Sequence, residues 1–473
     1  MKKTLLISAS IIALTAVIAP KFVGNSFNQK LDSMIVLINQ NPVYSASVKS
    51  RSNAWFSSTA TIHIAFDSSS FADENTPEIQ NVFSDMNADI VVNAQHGPIL
   101  TQNGLSLGWL SWSAKVEGDS LRDTLDFDAD TPIYQITNHT NLFGKSSFND
   151  KVPSFSMQGD EVFTQFAFSG WNGSGSFSDT QANYQGLLKS FSFAGVFGEF
   201  ELNEWQMTSD LQGNLMDAMA GNFNDTTASM QIQDISFKSV VEEEATVLTE
   251  FDMDVVADFD EATDLLDYQI NFSLNQLTTP ELNLSSVKVN TQVNNLKEQF
   301  FKAYQSLLSE AGQDPAKMQE NLDTLMQTEL LGQLQAEPEF NISSFSAKLN
   351  QGNITGSLNS KIHQVTALPD PIESPAFWIQ HLMTDAQLNA DDSVALWLAI
   401  NLTKSQIKAA PSAAQMTDEE IASIAQQQAP AMLQGLQQQG LLTKTDSGYE
   451  MTFSLKEGQA LLNGNPMPLP TGQ

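Results

Sequence analysis

The chain has 473 residues, a net charge of −33 from 22 basic against 55 acidic residues, and no cysteine. The missing thiols exclude cysteine catalysis, cysteine-based zinc sites and cysteine-held iron–sulfur clusters, and the acidic excess excludes a nucleic-acid partner, whose phosphates demand a cationic footprint. Charged residues supply only 16% of the chain, below the roughly 25% of an ordinary soluble domain, so Gln, Asn, Ser and Thr carry much of its polarity.

In chain order, Lys2 and Lys3 precede a run from Leu5 to Ala19 that only small or hydroxyl residues interrupt. That is the pattern of an export signal. Val17-Ile18-Ala19 before Pro20 makes a poor small-x-small cleavage site, and Thr4 to Val23 matches the roughly 20 residues a bilayer span needs. The expectation is therefore a signal anchor over 1–23, with the lysine pair on the cytoplasmic side and the body exported. A cleaved signal is the alternative.

Phe27 to Leu37 reads as a short amphipathic helix that Asn41-Pro42 would end. Beyond Tyr44 the texture changes. Thr59 to Phe66 alternates with period two, and the same alternation returns in Ser84 to Val92, Leu105 to Val116, Val162 to Trp171, Leu187 to Phe193 and Gly198 to Met207. It continues through Met230 to Phe237, Phe251 to Phe259, Leu266 to Leu274 and Leu282 to Val289. Short alternating runs divided by Gly, Asn, Asp and Ser predict a mainly β fold with α inserts, an elongated or curved antiparallel sheet system behind its anchor. Glycines beside alternating apolar residues recur at Gly173 and Gly175, Gly213 and Gly356, where they relieve crowding at bends or bulges.

Helical spacing enters at Val293 to Leu308 and Pro315 to Leu334, which divides the body into a β-rich domain over 24–292 and an α+β domain over 293–473. Trp378 to Met383 reads as helix, and Asp385 to Leu388 and Ser393 to Leu402 as strands. Thr417, with Glu420 three residues later, is a capping box opening a helix toward Gln439, which Pro430 should kink or divide. Gly448 to Leu455 and Gln459 to Leu462 predict two closing strands.

The residues that could carry chemistry are few. His96-Gly97-Pro98 follows a strand, and none of the five histidines (63, 96, 139, 363 and 381) lies three or four residues from another, so no local zinc pair exists. His96 is either a catalytic or binding group or the corner of a sheet, where Gly97 and Pro98 fix the backbone. No Gly-x-Ser-x-Gly elbow, phosphate loop or dinucleotide glycine series occurs. The acidic sets Asp126, Asp128, Asp130 and Asp252, Asp254, Asp258, Asp260 lack the EF-hand pattern, and a solvated face is their simplest use. No cofactor or metal is expected. Among 29 phenylalanines, Phe163, Phe166 and Phe168 form one group and Phe191, Phe193, Phe197 and Phe200 another. They make either an ordinary sheet core or a groove for an apolar ligand.

The Lys2-Lys3 start and His96-Gly97-Pro98 after a strand resemble the YdgA family of bacterial proteins, long catalogued as a domain of unknown function. Ile270 to Leu274, Leu296 to Phe300 with Tyr304, and the ending Tyr449 to Leu469 with Leu461-Leu462-Asn463-Gly464-Asn465-Pro466 extend the resemblance over nearly the whole chain. The resemblance implies export across, or anchoring in, the inner membrane of a Gram-negative cell, and no established reaction. The expectation is a membrane-anchored periplasmic scaffold or binding protein, with the inner membrane, a lipid or an envelope protein as partner. Its candidate binding residues are His96, Gly97, Pro98, Phe191, Phe193, Phe197 and Phe200. The alternatives are an exported hydrolase using His96 with a nearby carboxylate, and an assembly partner in the cell envelope.

Overall fold

The computed structural model describes residues 2–40, 44–66, 87–102, 104–159, 163–196, 198–241, 244–280, 282–311, 315–410 and 416–469. The chain forms two compact units, one of residues 1–230 with 301–325, the other of 231–300 with 326–473.

In the first unit a helix, α1 (Lys2–Gln40), precedes a meander of antiparallel strands. These are β1 (Tyr44–Asn53), β2 (Ser57–Phe66), β3 (Asn87–His96), β4 (Leu110–Val116), β5 (Tyr134–Thr140) and β6 (Ser146–Val152), followed by β7 (Phe155–Gln158), β8 (Phe163–Phe168), β9 (Trp171–Phe177), β10 (Gln181–Gly195) and β11 (Gly198–Gln212). Strands β1 to β6 pair in sequence, β9 inserts beside β6, and β10 and β11 follow. The 15-residue β10 is long enough to pair with β9 along one half and β8 along the other. Gly170, with φ +98°, makes the break between those two shorter strands.

Because side chains alternate across a strand, the register assigns faces. His96 pairs with Leu110, Leu110 with Thr140, Thr140 with Ser146, Ser146 with Phe177 and Phe177 with Ala182. All six therefore share one face, and α1 packs there. Phe27, Leu31, Ile35 and Ile38 of the helix cover the buried Ala46, Ala60, Ile62 and Val92 of β1 to β3. Asn39 clasps the β1 backbone at both Ala46 N–H (2.6 Å) and Ala46 C=O (3.0 Å).

This helix corrects the expected anchor. α1 runs without a break through Pro20, joining what the sequence divided into a span ending at Val23 and a separate helix from Phe27. Pro20 and Gly24 are buried while Phe22 between them is 69% exposed, so Pro20, inside the span assigned to a bilayer, is part of the protein interior. Among the described residues no helix is long and apolar enough to cross a membrane. The membrane-anchored fold, the inner-membrane location with a periplasmic body, the inner membrane as partner and the anchored scaffold function are all overturned on that ground.

Strand β12 (Asp225–Ser239) leads into the second unit, again an antiparallel meander. Its strands are β13 (Thr246–Asp260), β14 (Leu265–Thr278), β15 (Asn283–Lys297), β16 (Glu339–Leu349), β17 (Gly352–Ile362), β18 (Leu382–Asp391), β19 (Gly448–Lys456), β20 (Gln459–Leu462) and β21 (Asn465–Met467), each paired with the next. Helices α2 (Glu298–Ala311) and α3 (Pro315–Thr328), whose residues 301–325 count with the first unit, and α4 (Leu330–Gln335) follow β15 in the chain, and α5 (Pro375–His381) precedes β18. Helices α6 (Asp392–Ala409) and α7 (Asp418–Gln438) join β18 to β19.

The stretch Ser393 to Leu402, read as a strand, lies in α6. It is apolar nearly all round, so alternation cannot separate strand from helix there. What decides is the partner. Ala395 and Ala399 meet Ala429 and Leu433 of α7, and the three alanines let the two helices approach closely. The capping box forms as spelled, with Glu420 N–H donating to Thr417 Oγ1 (3.2 Å) and Thr417 N–H to Glu420 Oε2 (2.9 Å). Pro430 stands inside α7 without dividing it.

Candidate functional site

His96 ends β3 at the corner where the chain turns back. Gly97 N–H donates to Trp109 O (2.7 Å) and Gly108 N–H to Pro98 O (3.0 Å). A Cβ on Gly97 would stand 1.6 Å from Gly108 O, so no larger residue fits while that backbone holds its course. The imidazole is 1% exposed. Its Nε2 lies 3.0 Å from Ser58 Oγ and its Nδ1 3.4 Å from Trp55 O. Asn28 Nδ2 of α1 donates to Ser58 Oγ (3.2 Å) and to Gly24 O (2.7 Å). Gly24 lies flat on the ring, where a Cβ would meet Cε1 at 2.3 Å.

The carbonyl opposite Nδ1 calls for the proton on that nitrogen, which leaves Nε2 to accept from the Ser58 hydroxyl. Ser58 Oγ also lies 3.1 Å from Asn53 Oδ1. One hydroxyl proton cannot serve both acceptors, so a neutral imidazole goes with an Asn53 amide turned to donate. Burial pushes the imidazole below its ordinary value; the Trp55 carbonyl opposes this and the Lys21 charge adds to it.

The serine–imidazole distance is one that a nucleophile and its base would have. Yet Ser58 is 2% exposed, and the partners of His96 are a hydroxyl and a carbonyl. Among the described contacts of the imidazole no carboxyl group is present, whereas a hydrolase built on His96 calls for one. The corner instead joins helix to sheet. Ser58 and Asn28 went unnoticed in the sequence because their only signal is spatial.

The phenylalanines stand elsewhere. Phe191 and Phe193 pair with Phe168 and Phe166 of β8, and Phe193 with Phe200 of β11. Odd positions of β10 face away from the side that Ala182 shares with His96, so the two groups of candidates lie on opposite faces and form no common site. The rings pack on one another, Phe193 on Phe200 at 5.2 Å and Phe166 on Phe191 at 5.1 Å, and all stay half-buried. Phe197 lies outside the described residues, as does the Phe163 side chain.

Three of the other histidines are tied to backbone or to surface charge. Nδ1 of His363 faces His381 O (3.0 Å) and Nδ1 of His381 faces His363 O (2.9 Å); Nδ1 of His63 contacts Asp89 (2.8 Å). Among the described residues no three His, Asp or Glu converge as metal ligands.

The second unit presents an open apolar surface. By register, Phe272, Val289, Phe345, Gly356, Leu388 and Met451 are successive neighbours on one face of β14 to β19. Over β16 to β19 that face holds a cavity of about 290 Å³, lined by Ile342, Phe345, Leu358, Leu388, Met451 and Phe453 among others. All six are half-buried. Nothing in the sequence marked it, since each residue alone is an ordinary strand residue.

A family profile described as "Bacterial protein of unknown function (DUF945)" matches residues 1–470, and the chain belongs to that family. The resemblance carried by its N-terminal, central and closing motifs is thereby shown. Comparison with curated proteins gave no match.

Proposed function

We propose that this member of a family without an assigned activity is a non-catalytic binding protein, and that the cavity on β16 to β19 holds an aliphatic small molecule. The observation that carries this is the lining. Six large apolar side chains from four strands surround about 290 Å³, at the lower end of the range for small-molecule sites. A polypeptide strand laid on such a floor would leave its N–H and C=O groups unpaired. An aliphatic chain brings no such groups. The sealed Ser58–His96 pair supports a binding role over a catalytic one, because the most reactive arrangement in the first unit has no access to a substrate.

The net charge of −33 makes a neutral probe the appropriate test. Nile red fluorescence, titrated with protein, should rise and saturate. Leu358→Glu places a charge in the lining and should weaken binding at least tenfold. Thr355→Glu, on the opposite face of β17, should leave it unchanged. Equal binding by both variants, each folded by circular dichroism, would exclude the cavity.

A further inference from the structure

One row beyond the cavity, the apolar face of the second unit turns polar. Ser360 of β17 and Thr384 of β18 are cross-strand neighbours, each two residues along its strand from Leu358 and Ala386, which line the cavity. Side chains two apart share a face, so the pair stands about 7 Å from the apolar lining. Ser360 Oγ and Thr384 Oγ1 lie 3.2 Å from each other. Two hydroxyls hold two protons and spend one on their mutual bond. Neither oxygen has another partner among the described residues, so one O–H remains to be given. Thr384 is 9% exposed and Ser360 half-buried, which makes Ser360 the side that can meet a ligand. Phe340 of β16, next to Ser360 in the same row, is 45% exposed, so the row is open to solvent at that side. Beyond it Ile362 packs with Leu330 and Leu334 of α4 and Phe377 of α5, and the open face ends there.

The same register leaves this face without charge. Alternation sends Lys348, Lys361, Asp385, Glu450 and Lys456 to the other side of β16 to β19, and no charged residue of these strands shares the face of the cavity. Lys444 lies over the Tyr449 ring (4.9 Å), six residues along β19 from the Ser360 row, and is paired with Asp392. A carboxylate held beside Ser360 would shed water without gaining a cation, in a chain whose net charge is already −33. An ammonium group would find no carboxylate. A neutral oxygen needs only the O–H that the pair has to give.

We infer that the ligand of the cavity is a neutral amphiphile, an aliphatic alcohol or ester, which rests on the binding role proposed above and narrows it. Its chain lies over Phe345 and Leu358, and its oxygen accepts from Ser360 while Thr384 donates to Ser360 from behind. The chain then runs along the strands, with its head at the Phe340 side.

The test is displacement of Nile red from the full chain at pH 8 by three probes of one chain length: 1-hexanol, hexanoate and 1-chlorohexane. Hexanol should displace the dye at least tenfold more tightly than hexanoate. In the double variant Ser360→Ala with Thr384→Val, hexanol should weaken at least fivefold, while 1-chlorohexane, which needs no O–H, should keep its affinity. Ser360→Ala alone covers the case in which the double variant fails to fold, and should weaken hexanol at least threefold. The absence of any saturable Nile red signal would remove the cavity as a site and this inference with it. Hexanoate displacing the dye as tightly as hexanol would overturn the inference and leave the cavity standing. So would undiminished hexanol affinity in the folded variants, or an equal loss of hexanol and 1-chlorohexane.

Discussion

The His96 corner and the β16–β19 cavity are opposites. The corner gathers a histidine, a serine and two asparagines, residues of chemical promise, and ties them to one another by hydrogen bonds, with His96, Ser58 and Asn28 buried and Asn53 at the exposed edge. The cavity gathers mainly apolar residues and leaves its large side chains half-open. Burial with full pairing is what a polar group needs to stabilise a fold; exposure without a partner is what an apolar group needs to bind something else. Polar character alone is therefore a poor guide to function in this molecule.

If the corner is structural, its variants should cost stability and leave ligand binding intact. The largest effect belongs to Gly97→Ala, whose new Cβ would meet a backbone oxygen at 1.6 Å. A loss of about 4 kcal/mol or more in urea unfolding is expected, the size reserved for strained or overpacked sites. Ser58→Ala leaves Asn28 and His96 without their shared partner, at about 1–3 kcal/mol. Measurable Nile red affinity in that variant at the wild-type value would sharpen the contrast; a matched loss of affinity would break it.

The same corner makes a pH prediction. The folded imidazole is held below its ordinary value, so between about 6.5 and that lower value the unfolded chain binds the extra proton. Its contribution to stability is therefore present above about 6.5, is lost as pH falls through that window, and levels off once the folded imidazole is also protonated. Many carboxyl groups titrate at still lower pH. The measurement is accordingly the difference between wild type and His96→Gln in urea midpoints at pH 7.5 and 5.5, which should shrink toward acid. The smallest effect is expected at Thr417→Ala, about 1 kcal/mol for a lost helix cap, with no change in ligand affinity.

How much of this was legible follows from what each signal depends on. Period-two alternation in Thr59 to Phe66 and in Phe251 to Phe259 depends on one strand having a wet and a dry face, and both lie in strands, β2 and β13. The box at Thr417 and Glu420 depends on residues three apart. The Gly97 turn was legible because only glycine tolerates it. Ser393 to Leu402 was misread because its helical state is decided by α7, which lies beyond any local window. α1 was divided at Val23 because what holds the helix there, His96 of β3 against Gly24 and Ser58 of β2 against Asn28, lies far away in sequence. The two candidate groups, His96 and the phenylalanines, looked compatible until the register placed them on opposite faces. The cavity needs four strands in register, so no single stretch could announce it.

The central claim, that the second unit binds an aliphatic ligand at β16 to β19, is tested most directly by methyl NMR. Methionine methyls labelled with carbon-13 report on both units at once, with Met451 in the lining and Met157 and Met207 in the first unit; a Met451→Leu variant assigns the signal. Titration with 1-decanol should shift the Met451 methyl saturably and leave Met157 and Met207 in place. A uniform drift of all three, or a saturable shift confined to the first unit, would contradict the account.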